Sequence, residues 1–147
     1  MPGPIVVDAG ASRALNIVGE KLTVLASGDQ TGSYEVFHQL GAEGSGPPPH
    51  HHPWDEAFYV IRGAVTFGMG DQELVALPGT FVHIPGGTTH WFRFGEDGTE
   101  MVSLTSHAGA AAMFAEFDRE IAPDKPDIAK LVEIAGRHGA TIGAPKG

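Results

Sequence analysis

Glycine and proline punctuate this 147-residue chain twenty-one and eleven times, which leaves room along most of its length only for short extended segments. The runs between them are rich in Val, Ile, Thr and Phe, side chains that suit a pleated, half-buried surface. Strands are expected near residues 14–18, 20–27, 33–40, 56–62, 64–69, 72–77, 80–84, 89–95 and 99–105. The chemistry between them suits tight turns: Gly63 after EAFYVIR, Gly70 with Asp71, Pro78 with Gly79, and the PGG of residues 85–87. Strand after strand joined in this way gives an antiparallel sheet, which must close or pack on a second sheet to protect its edges.

After Ser106 the pattern changes to a helical period. Met113, Phe114, Phe117 and Ile121 suit one face of an amphipathic helix. A second helix is expected in DIAKLVEIAGRHG, with Ile128, Leu131, Val132 and Ala135 on its buried face, Pro126 near its start and Gly139 as terminator. The expected organisation is one domain over residues 1–147, with a barrel core at about 14–105, a helical extension at about 108–147 and a frayed GAPKG tail.

Charge and composition narrow the chemistry. Eighteen acidic side chains against nine basic ones give a formal net charge of -9, with Lys and Arg scattered, so nucleic acid is excluded as a partner and the acidic surplus reads as a solubilising surface. There is no cysteine, so any metal must be held by nitrogen and oxygen. The N-terminus lacks a basic region with a long apolar run, and no segment is apolar enough to span a bilayer; a cytosolic location is expected.

Against that background the stretch GSGPPPHHHPWDE, residues 44–56, stands out. Side chains alternate along an extended backbone, so His50 and His52 point one way and His51 the other. Pro47, Pro48 and Pro49 restrict the approach to an extended path, and Pro53, Trp54 and Asp55 supply a tight connection, so that a hairpin would bring Glu56 back towards His50 and His52. His90 follows a glycine-rich turn in GTFVHIPGGTTHWFRF and suggests a fourth ligand.

The spacing resembles the cupin superfamily. Gly44, His50, His52, Glu56 and Gly63 fill every position of that family's first motif, and Gly79, Pro85, Gly87 and His90 match the second. Phe94 stands where the second motif has Asn, which loses a polar packing residue rather than a ligand. The fifteen residues between Gly63 and Gly79 are the short spacing of microbial cupins. The resemblance implies a mainly β, antiparallel jelly-roll barrel of six to eight strands, with a metal inside its mouth bound by His50, His52, Glu56 and His90.

Three imidazoles and one carboxylate leave a divalent ion with net positive charge and open positions, a Lewis-acid site for oxygen donors. Iron, manganese, nickel, copper, cobalt and zinc all accept such ligands. The chain is similar to small bacterial cupins related to quercetin dioxygenase, which implies a metal-dependent dioxygenase that joins O2 to a small aromatic or enol-containing substrate, with Glu56 also taking the substrate proton. Phe58, Phe92, Phe94 and Met101 are the candidate apolar walls, although core packing is their simpler role. The alternative is a non-catalytic binding cupin or a metal-dependent isomerase. A phosphosugar isomerase fits less well, because Arg62 and Arg93 are the only arginines of the motif region and Lys is absent from 22 to 124.

The remaining histidines are expected elsewhere: His51 beside the site or at the surface, His83 as a hydrogen-bonded barrel residue, His38 on either face, and His107 and His138 exposed. A homodimer is expected, with the apolar PIVVDAG segment available for strand exchange.

Overall fold

The computed structural model describes residues 3–106 and 109–143. His107 and the last four residues of the GAPKG tail lie outside the described residues. The strands run in chain order as β1 (Leu15–Ile17), β2 (Glu20–Ala26), β3 (Tyr34–Gly41), β4 (His50–His51), β5 (Glu56–Arg62), β6 (Val65–Met69), β7 (Gln72–Ala76), β8 (Phe81–Ile84), β9 (His90–Phe94), β10 (Thr99–Ser106) and β11 (Thr141–Ile142). A single helical turn, α1 (Gly28–Thr31), follows β2; α2 (Ala110–Glu120) and α3 (Ile128–Arg137) follow β10.

Two antiparallel sheets face each other, one in the order β1-β2-β3-β10-β5-β8 and the other β11-β4-β9-β6-β7. Their backbone ladders are separate, so the jelly roll is a sandwich closed by side chains. All nine expected strands form, within a residue or two of the expected ends. The turns hold because four motif glycines sit where an L side chain is strained: Gly44, Gly63, Gly79 and Gly87 have φ of 84°, 82°, 91° and 85°. At Gly63 space adds to the requirement, since a Cβ would lie 2.2 Å from the Gly98 carbonyl oxygen.

One expectation is corrected. Glu56 does not return beside His50 and His52 through a hairpin, because β4 pairs with β9 and β11 whereas β5 pairs with β10 and β8. Residues 52–55 instead form a corner that passes from one sheet to the other. The turn at 85–87 braces it: Gly87 N donates to the His52 carbonyl at 2.8 Å and Gly86 N to Asp55 Oδ1 at 2.9 Å. A Cβ on Gly86 would come within 2.2 Å of the Pro53 carbonyl oxygen, so only glycine lets the two segments dock.

Burial divides the interior into two apolar clusters. One lies between the sheets and holds Phe58, Val60, Val65, Phe67, Ala76, Val82, Ile84, Phe92, Phe94 and Met101. The other holds Leu22 and Phe37 from the strands, Trp54 from the corner, and Met113, Phe117, Ile121, Ile134 and Ala135 from the helical extension. The face of α3 differs from expectation: Leu131, Ile134 and Ala135 turn inward, while Ile128 and Val132 are exposed, because α2 covers only one side of this second helix. Gly139 ends it as expected, at φ 90°, with Ala140 N donating to the Ala135 carbonyl at 2.9 Å. Among the described residues no helix is long and apolar enough to cross a membrane.

Candidate metal centre

His50 and His90 are register partners on β4 and β9, with ring centroids 4.2 Å apart. His52 enters from the corner and Glu56 from the first position of β5, so both sheets contribute. One ligand atom from each of His50, His52, Glu56 and His90 lies within 4.8 Å of all the others. His52, Glu56 and His90 are buried and His50 is half-buried.

Hydrogen bonds fix the tautomers. Nδ1 of His50, His52 and His90 lies 2.9, 3.0 and 2.8 Å from the carbonyl oxygens of Pro48, Trp54 and Thr88. A carbonyl can only accept, so each Nδ1 carries a proton; in a ring with that one proton, Nε2 is a bare lone pair turned to the centre. His52 Nε2 and His90 Nε2 then lie 3.3 and 3.2 Å from Glu56 Oε1, which is also an acceptor. Acceptors that face one another at this distance need positive charge between them, either added protons or a cation. Burial, with neighbouring His90 next in importance, pushes His50 down to about 4, which favours the neutral ring that ligates metal. Burial alone would raise Glu56, but the His52 and His90 rings beside it outweigh that and hold its carboxyl at about 2. The donor set and its Nδ1-protonated tautomers fit a divalent transition metal.

Every sequence-derived ligand candidate therefore meets at one point. Phe58, Phe92, Phe94 and Met101 do not line an open space; all are buried in the cluster between the sheets, with Phe58 and Phe92 rings 5.5 Å apart. His51 points away from the centre and its Nδ1 is buried without a hydrogen-bond partner. His83 is corrected from a barrel residue to an exposed one, because β8 alternates with Val82 and Ile84 inward. His38 faces outward and lies 2.8 Å from Glu100 Oε2. His138 is not free at the surface; its Nε2 sits 2.8 Å from Glu116 Oε1. Two open grooves of about 470 and 490 Å³ lie under the N-terminal segment against β2 and β3, away from the His and Glu cluster.

Two groups beside the centre were not anticipated. The Trp54 indole stacks on the His52 ring, with centroids 4.2 Å apart and planes 7° from parallel. Inside the barrel, Gln39 Nε2 donates to Glu20 Oε1 at 2.8 Å and Ser103 Oγ donates to Gln39 Oε1 at 2.7 Å. The sequence held a signal for Glu20, which is in phase with Leu22 and Ala26, so a period of two turns it inward.

The cupin domain family model matches residues 37–107, which spans both motifs and all four ligand candidates. The chain is 31% identical over 104 residues to quercetin 2,3-dioxygenase of Bacillus subtilis, a match that takes in 69% of this chain and 31% of that protein. This chain thus corresponds to about a third of that relative's length. Among solved structures, an RmlC-like cupin from Shewanella frigidimarina superposes with a TM-score of 0.65 at 16% identity, covering 74% of this chain and 94% of that one. The polyketide cyclase RemF from Streptomyces resistomycificus gives 0.61 at 18% identity, covering 71% and 80%. At these identities the structural likenesses carry the fold.

Proposed function

Because the chain belongs to the cupin superfamily, we propose that it is a metal-dependent oxidoreductase, a dioxygenase acting on a small aromatic or enol-containing substrate. The observation that carries the reading is the convergence of three Nε2 lone pairs and one carboxylate on a single point. The similarity to a quercetin dioxygenase supports the oxidative choice over an isomerase or a binding module on the same fold.

His50, His52, Glu56 and His90 would hold the ion. When bound, it would supply a Lewis-acid centre at which an oxygen donor and O2 can meet. The protein's own part is to bind, orient and move a proton. The three carbonyl contacts lock the imidazole planes, so the centre is pre-organised before substrate arrives. Glu56 accepts the proton of a substrate hydroxyl, leaving an anionic oxygen and a neutral carboxyl. Rings that direct their Nε2 lone pairs to a cation have no proton there to donate to Glu56, which leaves its carboxylate free to serve as a base. Phe58 and Phe92 lie two residues beyond Glu56 and His90 on the same strand faces, and their buried rings hold those two strands in place behind the centre.

A homodimer is part of the same proposal. The outer face of the larger sheet exposes Tyr34, Leu40, Tyr59, Ile61, Phe81 and Leu104, an apolar surface that a second copy would cover.

The test is O2 uptake with a catechol and flavonol panel, using protein reconstituted separately with iron, manganese, nickel, copper, cobalt or zinc. Uptake is expected with at least one ion, with Glu56→Gln losing it while still holding metal. Stoichiometric metal without uptake across the panel would sink the dioxygenase and leave the non-oxidative cupin.

A further inference from the structure

The helical extension reaches the ligand strand from two directions. In the first, Trp54 stacks on His52 and its carbonyl oxygen accepts the His52 Nδ1 proton at 3.0 Å. Its indole is 3% exposed and belongs to the cluster built by Met113, Phe117 and Ile121 of the α2 region and Ile134 and Ala135 of α3. Gly139, just past α3, closes over the same corner: a Cβ there would stand 3.8 Å from both Pro53 Cδ and Trp54 Cζ3.

In the second, β11 pairs with β4, placing Ile142 opposite His50 and Thr141 opposite His51. Gly143 N donates to the Pro49 carbonyl at 2.6 Å, extending that contact. The other flank of β4 is held by one register pair, His50 with His90. A two-residue strand has no independent stability, so its neighbours set its conformation. Two of the four candidate ligands therefore depend for their position on a segment after the barrel.

We infer that α2, α3 and β11 form a positioning clamp for the metal centre, acting through Trp54 and the β4–β11 pair, so that closure of the extension and metal affinity are linked. The inference rests on the reading that His50, His52, Glu56 and His90 hold a metal, but not on the reaction performed there. Linkage is reciprocal: whatever the closed extension adds to metal binding, bound metal adds to closure. Trp54 is a positioning residue, since it touches a ligand and not the ion.

Hydrogen exchange of the wild-type chain with and without zinc reads this directly. Zinc is expected to slow exchange in residues 128–143 as well as in 50–56, with less effect on β6 and β7. Zinc affinity by chelator competition should fall about 10- to 100-fold in Trp54→Ala and be largely restored in Trp54→Phe, the size usual for partners that orient a ligand. Ile134→Ala, which perturbs the cluster but no ligand, should weaken affinity in the same direction. Tight zinc that leaves exchange in 128–143 unchanged overturns the clamp and spares the metal site, as does a folded Trp54→Ala with wild-type affinity. Wild-type protein that takes up no zinc or other divalent ion overturns both. If Trp54→Ala does not fold, the wild-type exchange comparison decides alone.

Discussion

Replacing Glu20 with glutamine should remove a pH dependence from the stability of the metal-free protein. Glu20 is 8% exposed, and burial raises its carboxyl from 4.5 to about 7, against the Gln39 hydrogen bond that lowers it and with the negative Glu56 that reinforces the rise. The folded state therefore holds this proton more tightly than the unfolded chain. Its stabilising effect is complete below the unfolded value, is lost as pH rises from 4.5 to about 7, and is gone above that. A rise from 4.5 to about 7, at about 1.4 kcal/mol for each unit, makes the loss about 3 kcal/mol. A glutamine at this position can still accept from Gln39 Nε2 but has no proton to lose. Urea unfolding in the presence of chelator, from about pH 4.5 to pH 8, should show the variant gaining about 3 kcal/mol on the wild type across that window. Glu100, Glu116 and Asp118, all held below the usual carboxylate range by hydrogen-bonded partners, lose their contribution only as pH falls, and they do so equally in both proteins. A difference constant to within about 1 kcal/mol across the window would refute the buried, neutral Glu20.

Phe58→Ala separates core from pocket wall: a side chain 1% exposed among aromatic neighbours should cost about 3–5 kcal/mol in urea unfolding, and a loss under about 1 kcal/mol would place it beside open space. Glu35→Ala should destabilise by about 3 kcal/mol and loosen α2, because Glu35 accepts from Gly28 N at 2.8 Å and Ala111 N at 3.0 Å; unchanged stability would mean that water replaces both bonds. His90→Ala should abolish stoichiometric metal uptake, measured by mass spectrometric metal analysis, since His90 is 1% exposed and supplies one of the four ligand atoms that converge on one point; full retention would move the site elsewhere.

The sequence alone determined the β architecture and the four ligand candidates, because both are local. Turn glycines at positive φ and short β-branched runs act within a few residues, and the motif spacing places His50, His52, Glu56 and His90 at fixed offsets from those turns. What remained hidden depends on which distant segments meet. The 52–55 corner reads as a hairpin until β4 and β5 are seen to choose different partners. The inward face of β3 carries Glu35 and Gln39 beside Phe37 while Tyr34 and Leu40 point outward, so hydrophobicity gives the wrong phase there. Trp54 shows no sign in sequence of its stack on His52, and nothing local in residues 141–142 announces a strand beside the ligands. The β4–β11 pair, and the packing of α2 and α3 on Trp54, join segments far apart in the chain, and only the packed fold brings them within van der Waals reach.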